Sequence, residues 1–319
     1  MKEKLYEPMK KGNPDLVVSY FSNGLSAGIG YGGKNSNNIV RARGESIERF
    51  WQKYGPSSDI TVYSIGYEDT IQEIIFNNID TTDLNKVDTS GLAFHTYKEE
   101  AFNNAILEFC ERQSIIAHWK YGTPAKEILI PEGMAIPKNL SNGDIYIREI
   151  SIFPHVYVVL ALYTSNGFIK YAAGASAETS LHDAVGKAMR ECAQGYLLME
   201  DNVQRSAQGK KLMDDIQKNY IKYNNSTTVN KWPPANGSIL NIQKSSRGSI
   251  DDILHFLGEQ THPIYVLFDN IYLLGEKYYI CRLFSDKWFS GLLDTSKEDF
   301  EYIANIKTTR NISAKVPFG

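Results

Sequence analysis

Apolar positions along this chain recur in two periods, and the switches between them predict alternating strands and helices. Residues 15–21 (Asp-Leu-Val-Val-Ser-Tyr-Phe) and 59–66 (Asp-Ile-Thr-Val-Tyr-Ser-Ile-Gly) have the length and composition of strands. Between them, Ile39, Ile47, Phe50 and Trp51 recur on one face of a helix expected over about 38–54. A longer helix is predicted over about 97–120. Ala101, Ala105, Phe109 and Ile116 form its apolar stripe, with Glu108 and Glu111 to one side. Residues 145–150 and 156–163 read as adjacent strands, and Asn166-Gly167 predicts a tight hairpin turn into a strand over 168–173. A third helix is expected from about Leu181 past Leu198. Residues 224–228 and 231–237 form a polar, proline-bearing loop, followed by a helix near 250–260 and strands over 263–268 and 278–284. Mixed strands and helices with no composition break predict one integrated α+β unit over 1–319.

The glycine-rich stretch from Gly24 to Gly33 is the least periodic part of this pattern. Gly24-Leu-Ser26-Ala-Gly28 fits the Gly-x-Ser-x-Gly nucleophile elbow, with His255 or His262 as candidate bases. Against a hydrolase, the preceding strand ends well before Gly24, and the next helix starts about ten residues after Ser26 instead of directly behind it. The stretch also fails as Gly-x-Gly-x-x-Gly, and Lys34 is not set in a P-loop. Two readings stay open: a backbone whose successive amides approach phosphate oxygens, or a glycine loop without a ligand.

Composition narrows the classes. The chain has 319 residues, 42% of them hydrophobic and 22% charged, with a net charge of −3, which argues against a nucleic-acid binder. The basic N-terminus is followed by no apolar run of signal-peptide type, and no stretch reaches the roughly 18–20 apolar residues of a membrane span. Cys110, Cys192 and Cys281 lie far apart, in neither a disulfide framework nor a zinc spacing. A cytoplasmic location, with no membrane and no nucleic-acid partner, is the expectation.

Chemistry concentrates in three short helical segments. They are Glu45-Ser-Ile-Glu48-Arg49, Glu108-Phe-Cys-Glu111-Arg112 and Glu191-Cys-Ala-Gln194. In each, an acid is followed three positions later by an acid or an amide, which on a helix places both side chains on one face about 5–6 Å apart at Cβ. Like charges at that spacing repel unless a cation sits between them. Oxygen ligands without a His or Cys cluster favour magnesium over zinc. The bland alternative for any single segment is a solvated, charge-rich helix face.

With their surroundings these segments resemble the YcaO superfamily. Ser26-Ala-Gly, then Ala42-Arg-Gly-Glu45-Ser-Ile-Glu48-Arg49-Phe, is similar to its first carboxylate helix. Asp88-Thr-Ser-Gly91-Leu-Ala-Phe-His95, leading into Glu108 and Glu111, resembles the second. Tyr171-Ala-Ala-Gly174, leading through Leu181-His-Asp-Ala184 into Glu191 and Gln194, resembles the third. Lys315-Val-Pro317-Phe318-Gly319 is similar to the proline-bearing tail of azoline-forming members. The likeness is greatest to the cyclodehydratase subunits of microcin-type thiazole/oxazole synthetases, and it runs from about Leu25 to the last residue.

The resemblance implies mixed sheets flanked by helices, an ATP cleft lined by the carboxylate helices, and an ordered tail over about 313–319. It implies Glu45, Glu48, Glu108, Glu111 and Glu191 as magnesium ligands. Ser26, Lys34, Arg49, Gln194 and Arg282 become ATP-binding residues. Arg282, Pro317 and Gly319 are placed at the reaction, with the Gly319 carboxylate assisting proton transfer. A tail ending Pro-Phe-Gly departs from the family's Pro-Phe-Pro ending at that last position. The implied activity is ATP-dependent conversion of Cys, Ser or Thr in a ribosomally made precursor peptide to thiazoline or oxazoline. Thioamide or amidine formation and a non-catalytic assembly subunit are the alternatives. No stretch is left over for leader-peptide binding, so the expectation is a hetero-oligomer with a leader-binding partner and a flavin-dependent dehydrogenase. Any FMN would then belong to that second subunit.

Overall fold

The structure, a computed structural model, describes residues 3–6, 16–21, 27–31, 44–45, 47–48, 51, 61–65, 71–74, 89–130, 134–209, 215–242, 247–260, 264–273, 276–285, 288 and 316–317. By internal contacts the chain divides into two units. One comprises Met1–Phe109 with Ile250–Gly291, the other Cys110–Ser249 with Leu292–Gly319.

The first unit holds two antiparallel sheets. Strands β1 (Glu3–Tyr6), β2 (Leu16–Phe21) and β3 (Ala27–Tyr31) form a meander in which Val18 faces Ile29 across β2 and β3. The glycine-rich stretch is therefore not a loop throughout, since Gly28 and Gly30 are strand residues paired with Ser19 and Val17. A strand in place of a helix directly after Ser26 removes the nucleophile-elbow geometry, and with it the hydrolase reading. Pairing to β2 engages one side of this segment's backbone and holds its glycines extended despite their low strand propensity.

The second sheet runs in the order β5 (Ile71–Ile74), β4 (Thr61–Ile65), β12 (Tyr265–Leu273), β13 (Glu276–Phe284), β6 (Leu92–His95). Its β12–β13 hairpin is longer than the two predicted runs, with pairing continuing to Leu273 opposite Glu276. The extension carries exposed Asn270, Tyr272, Glu276 and Lys277, so ladder hydrogen bonds outlast the apolar pattern. Gly44, Glu45, Ile47, Glu48 and Trp51 are helical, and Ile47 and Trp51 join Val62, Leu92, Leu267, Tyr278 and Ile280 in this unit's core.

The second unit is built on the order β10 (Tyr171–Glu178), β9 (Tyr157–Thr164), β8 (Asp144–Glu149), β7 (Lys126–Ile128), β11 (Ile239–Leu240). All its pairings are antiparallel except β7–β11. Seven successive residues in each of β9 and β10 are buried, the signature of strands covered on both faces. The β9–β10 turn is wider than the predicted Asn-Gly hairpin, because Tyr171, not Phe168, pairs with Thr164. Ser165 Oγ accepts from the Gly167 amide and donates to the Ile169 carbonyl, closing the loop with side-chain bonds.

Helix α1 (Lys98–Tyr121) begins in one unit and ends in the other, the division falling between Phe109 and Cys110. Its second half departs from the amphipathic expectation: Gln113, Ser114, His118 and Lys120 are buried along with Ile115, Ile116 and Trp119. A helix buried on every side has no polar face to display, and its polar groups bond inward. Ser114 Oγ donates to the Cys110 carbonyl and accepts from the Ile152 amide. Helix α2 (Leu181–Ala207) is amphipathic, packs on β10 and β9, and is capped by Ser180, whose side chain accepts from the Asp183 amide. The polar 224–237 region contains a 3-10 helix, Ser226–Lys231, with Thr228, Val229 and Trp232 buried. Helices α3 (Asp215–Lys222) and α4 (Ile250–Gly258) and a short 3-10 helix, Lys138–Leu140, complete the described elements.

Candidate functional site

In the first unit, the helix carrying Glu45 and Glu48 is held by its opposite face. Trp51 Nε1 donates to Asp269 Oδ2 at 2.7 Å in the core. With Ile47 one turn earlier, this fixes the rotation of the helix and leaves both glutamates half-buried, off the apolar stripe. Arg282 lies on β13 opposite Leu92 and Leu267, and is 2% exposed. It adjoins the Gly91 turn, because Leu283 donates its amide to the Gly91 carbonyl. Gly91 has φ 71°, a conformation that favours glycine, and an added Cβ would overlap the Leu283 backbone. A buried guanidinium carries a large desolvation cost, offset only by anionic or acceptor partners. Glu108 is half-buried.

In the second unit, Glu111 is 6% exposed and lies 3.5 Å from Arg112 Nη1. On α2, Glu191 is exposed and Gln194 half-buried. Their position is set by the backbone beneath them. A Cβ at Gly174 on β10 would overlap the backbone of Ala188, Glu191 and Cys192, and one at Gly195 would press on the Ala173 carbonyl. Glycines on facing elements bring α2 against the strand at the turn that bears Glu191. Cys192 is sealed in this contact, and burial pushes its thiol far above the usual range, which removes it as a nucleophile.

The tail residues Val316 and Pro317 are buried in the same unit. Tyr171 Oη donates to the Pro317 carbonyl at 2.7 Å and accepts from Trp232 Nε1 at 3.0 Å. Neither Tyr171 nor Trp232 was a candidate on sequence grounds. The available signals were a single tyrosine leading a strand of small residues, and a tryptophan just before Pro233-Pro234.

Ser26, Lys34, Arg49, Gly319 and the alternative base His262 lie outside the described residues. His255 is on α4, 3.3 Å from Glu259. Among the described residues, no three His, Cys, Asp or Glu side chains gather as a metal site; the acids are spread over separate helical segments, two on each of the first two and one, Glu191, on the third. Carboxylate and amide oxygens are nevertheless the donor set of a hard cation. Magnesium is commonly held by one or two carboxylates, with phosphate oxygens and water completing its shell.

Residues 72–268 match the family model described as YcaO cyclodehydratase, ATP- and Mg2+-binding. The chain is 30% identical over 149 residues to the microcin B17-processing protein McbD of Escherichia coli, covering 43% of this chain and 37% of that protein's length. Its fold is similar to that of a chain in the E. coli microcin synthetase McbBCD complex with pro-MccB17 bound. The TM-score is 0.78 at 20% identity, over 99% of this chain and 96% of that one. It is also similar to YcaO from Methanopyrus kandleri bound with AMPPCP and Mg2+, with a TM-score of 0.58 at 15% identity over 99% and 90% of the two chains. At such identities these likenesses establish the α+β fold. The matched stretch takes in Glu108, Glu111, Glu191 and Gln194, while Glu45, Glu48, Arg282 and the tail lie beyond its limits. No described helix is long and apolar enough to cross a membrane. With more than half of its length inside the family model, the chain belongs to the YcaO cyclodehydratase family.

Proposed function

We propose that this protein is the ATP-dependent cyclodehydratase of a heterocycle synthetase, working as one catalytic domain over 1–319. The observation that carries the reading is family membership in a chain that keeps an acid at every helical position where the resemblance calls for one. In the reaction, a Cys, Ser or Thr side chain of a precursor peptide attacks the preceding amide carbonyl carbon, giving a tetrahedral oxyanion. That oxygen takes the γ-phosphoryl group of ATP, and ADP departs. Loss of the amide proton and departure of phosphate then leave a thiazoline or oxazoline. Phosphorylation matters because oxide is too poor a leaving group to depart unaided. The protein's contribution is positioning and charge stabilisation around the transferred group.

Glu45, Glu48, Glu108, Glu111 and Glu191 would hold magnesium, which supplies Lewis-acid charge between carboxylates and triphosphate when bound. Arg282 and Arg49 would face phosphate, where guanidinium geometry suits two-point contact, with Ser26, Lys34 and Gln194 as further nucleotide contacts. Pro317 and Gly319 would attend the reacting amide. Likeness to a chain of a multi-protein synthetase supports a hetero-oligomer; in this reading a separate partner binds the leader, and a flavin-dependent dehydrogenase carries any FMN.

The test is mass spectrometry of a Cys- and Ser-rich precursor incubated with this protein, its leader-binding partner, ATP and magnesium. One water lost per ring, matched by phosphate release and abolished without magnesium, is the expected result. Retention of full precursor mass by a mixture that binds ATP would overturn the cyclodehydratase reading.

A further inference from the structure

The contact between Tyr171 and Pro317 identifies a group that acts outside the carboxylate set. Proline has no N–H, so the backbone of Pro317 can be held by a hydrogen bond only through its carbonyl, and that carbonyl receives the Tyr171 hydroxyl at 2.7 Å. Tyr171 opens β10, whose next six residues are Ala, Ala, Gly, Ala, Ser and Ala, so it is the one long side chain at this end of the strand. Its ring is fully buried, 6.3 Å from Tyr220. Burial, reinforced by Tyr220, pushes the phenol well above its ordinary range, so it keeps its proton and remains a donor.

The direction of the bond is set from the other side. Indole nitrogen only donates, so the 3.0 Å bond from Trp232 Nε1 makes Tyr171 Oη the acceptor there and turns its own proton toward Pro317. Trp232 is in turn fixed against α1. Its ring lies 4.9 Å from Trp119 at 62° and is stacked 6.0 Å from His118. His118 Nδ1 donates to the Thr123 carbonyl at 2.7 Å, which locks the imidazole orientation. The chain of contacts thus runs from the tail to the helix that bears Glu108 and Glu111.

We propose that Tyr171, oriented by Trp232, is the positioning residue of the tail, fixing where the chain leaves Pro317. That the positioned tail serves ring formation rests on the proposed function; the anchorage itself does not. Without the hydroxyl, the Pro317 carbonyl loses a buried partner and the tail loses its directional hold, while the ring and its packing persist in phenylalanine.

The experiment compares full-length wild type, Tyr171→Phe and Trp232→Phe, each also lacking residues 317–319. The readouts are amide hydrogen exchange of the peptide ending the chain, Mg·ATP affinity, and kcat for ring formation in the complex with partner and precursor. Tyr171→Phe should speed exchange in the tail by about tenfold, the worth of one buried hydrogen bond, and lower kcat by a similar factor with Mg·ATP affinity unchanged. Trp232→Phe, which keeps the Tyr171–Pro317 bond but not its orienting donor, should do the same to a smaller extent. It also carries the test if Tyr171→Phe fails to fold. In the shortened chain, Tyr171→Phe should lower kcat no further. Unchanged tail exchange in both full-length variants, or a further fall of kcat in the shortened chain, overturns the proposal. Faster tail exchange with kcat untouched by Tyr171→Phe and by the deletion upholds the anchorage, and refutes the tail's part in the proposed chemistry.

Discussion

Helices α1 and α2 each present an acid followed three residues later by a second polar group, and they hold it in opposite ways. From Ala105 onward α1 is buried almost all round, and Glu111 is 6% exposed. Helix α2 buries one stripe, including Leu181, Ala184, Val185, Ala188, Cys192 and Met199, and leaves Glu191 in solvent. In α1 the carboxylate is part of the interior, so its charge is bound up with stability. In α2 the carboxylate is exposed, and the backbone under it is set against β10 through Gly174 and Gly195. The same spacing in sequence therefore yields one buried acid, whose removal should disturb the fold more, and one exposed acid, whose removal should disturb it less.

The largest effect should come from breaking the backbone contact on the α2 side. Gly174→Val places a branched side chain against the Ala188–Cys192 backbone, which has no flexible end to yield. Overpacking of this kind costs upwards of about 3 kcal/mol when the obstacle is backbone. The variant is expected to be unfolded or to lose most of its urea resistance. A folded variant with wild-type nucleotide affinity would show that α2 is not positioned by this contact.

The first-unit helix with Glu45 and Glu48 offers the next test, because a buried bond from Trp51 helps to fix its rotation. Trp51→Phe removes the donor to Asp269 Oδ2 and leaves a 5% exposed carboxylate one partner short. A cost of about 1–3 kcal/mol in urea unfolding is expected. Asp269→Asn added to Trp51→Phe should recover part of it, since a neutral amide is cheaper to bury. If Trp51→Phe is neutral in stability, the core of this unit does not depend on the bond.

How far the sequence reveals this comparison depends on which features are local. The strand period of β9 and the helix period of α2 are local and were legible, whereas the strand expected over 168–173 lies at Tyr171–Glu178. The acid pairs were legible because i,i+3 spacing is a property of one helix. Their burial was not, because Gln113, His118 and Lys120 carry the composition of an exposed face and are interior only through the elements packed around them. Strand β3 was hidden by its glycines, which a partner strand organises. The Trp51–Asp269 and Tyr171–Pro317 bonds join residues 218 and 146 positions apart, a distance over which periodicity carries no information.

Glu111→Gln sharpens the contrast from the α1 side. The substitution keeps shape and removes a buried charge that lies 3.5 Å from Arg112. Loss of a partnered, desolvated carboxylate should lower stability by about 1–2 kcal/mol, besides weakening Mg·ATP. Calorimetric and urea measurements on one preparation separate the two losses. Stability equal to wild type would place Glu111 energetically with Glu191 and remove the distinction between the helices.

The smallest effect on the fold should be that of Glu191→Gln. The side chain is exposed, and exposed substitutions of conserved shape usually stay within about 0.5 kcal/mol. The glutamine keeps the helix propensity, and the Gly174 contact below it is backbone to backbone and is kept. What the variant removes is one anionic oxygen from the magnesium set proposed for this face. A hard cation loses more from that change than a solvated helix does, and Mg·ATP affinity should fall about tenfold or more while the unfolding curve overlays wild type. Titration calorimetry with and without magnesium reads the outcome directly: the two proteins should differ only when the metal is present. An affinity equal to wild type in magnesium would return Glu191 to the solvated helix face and leave the acid of α1 as the sole member of the pair with a role in binding.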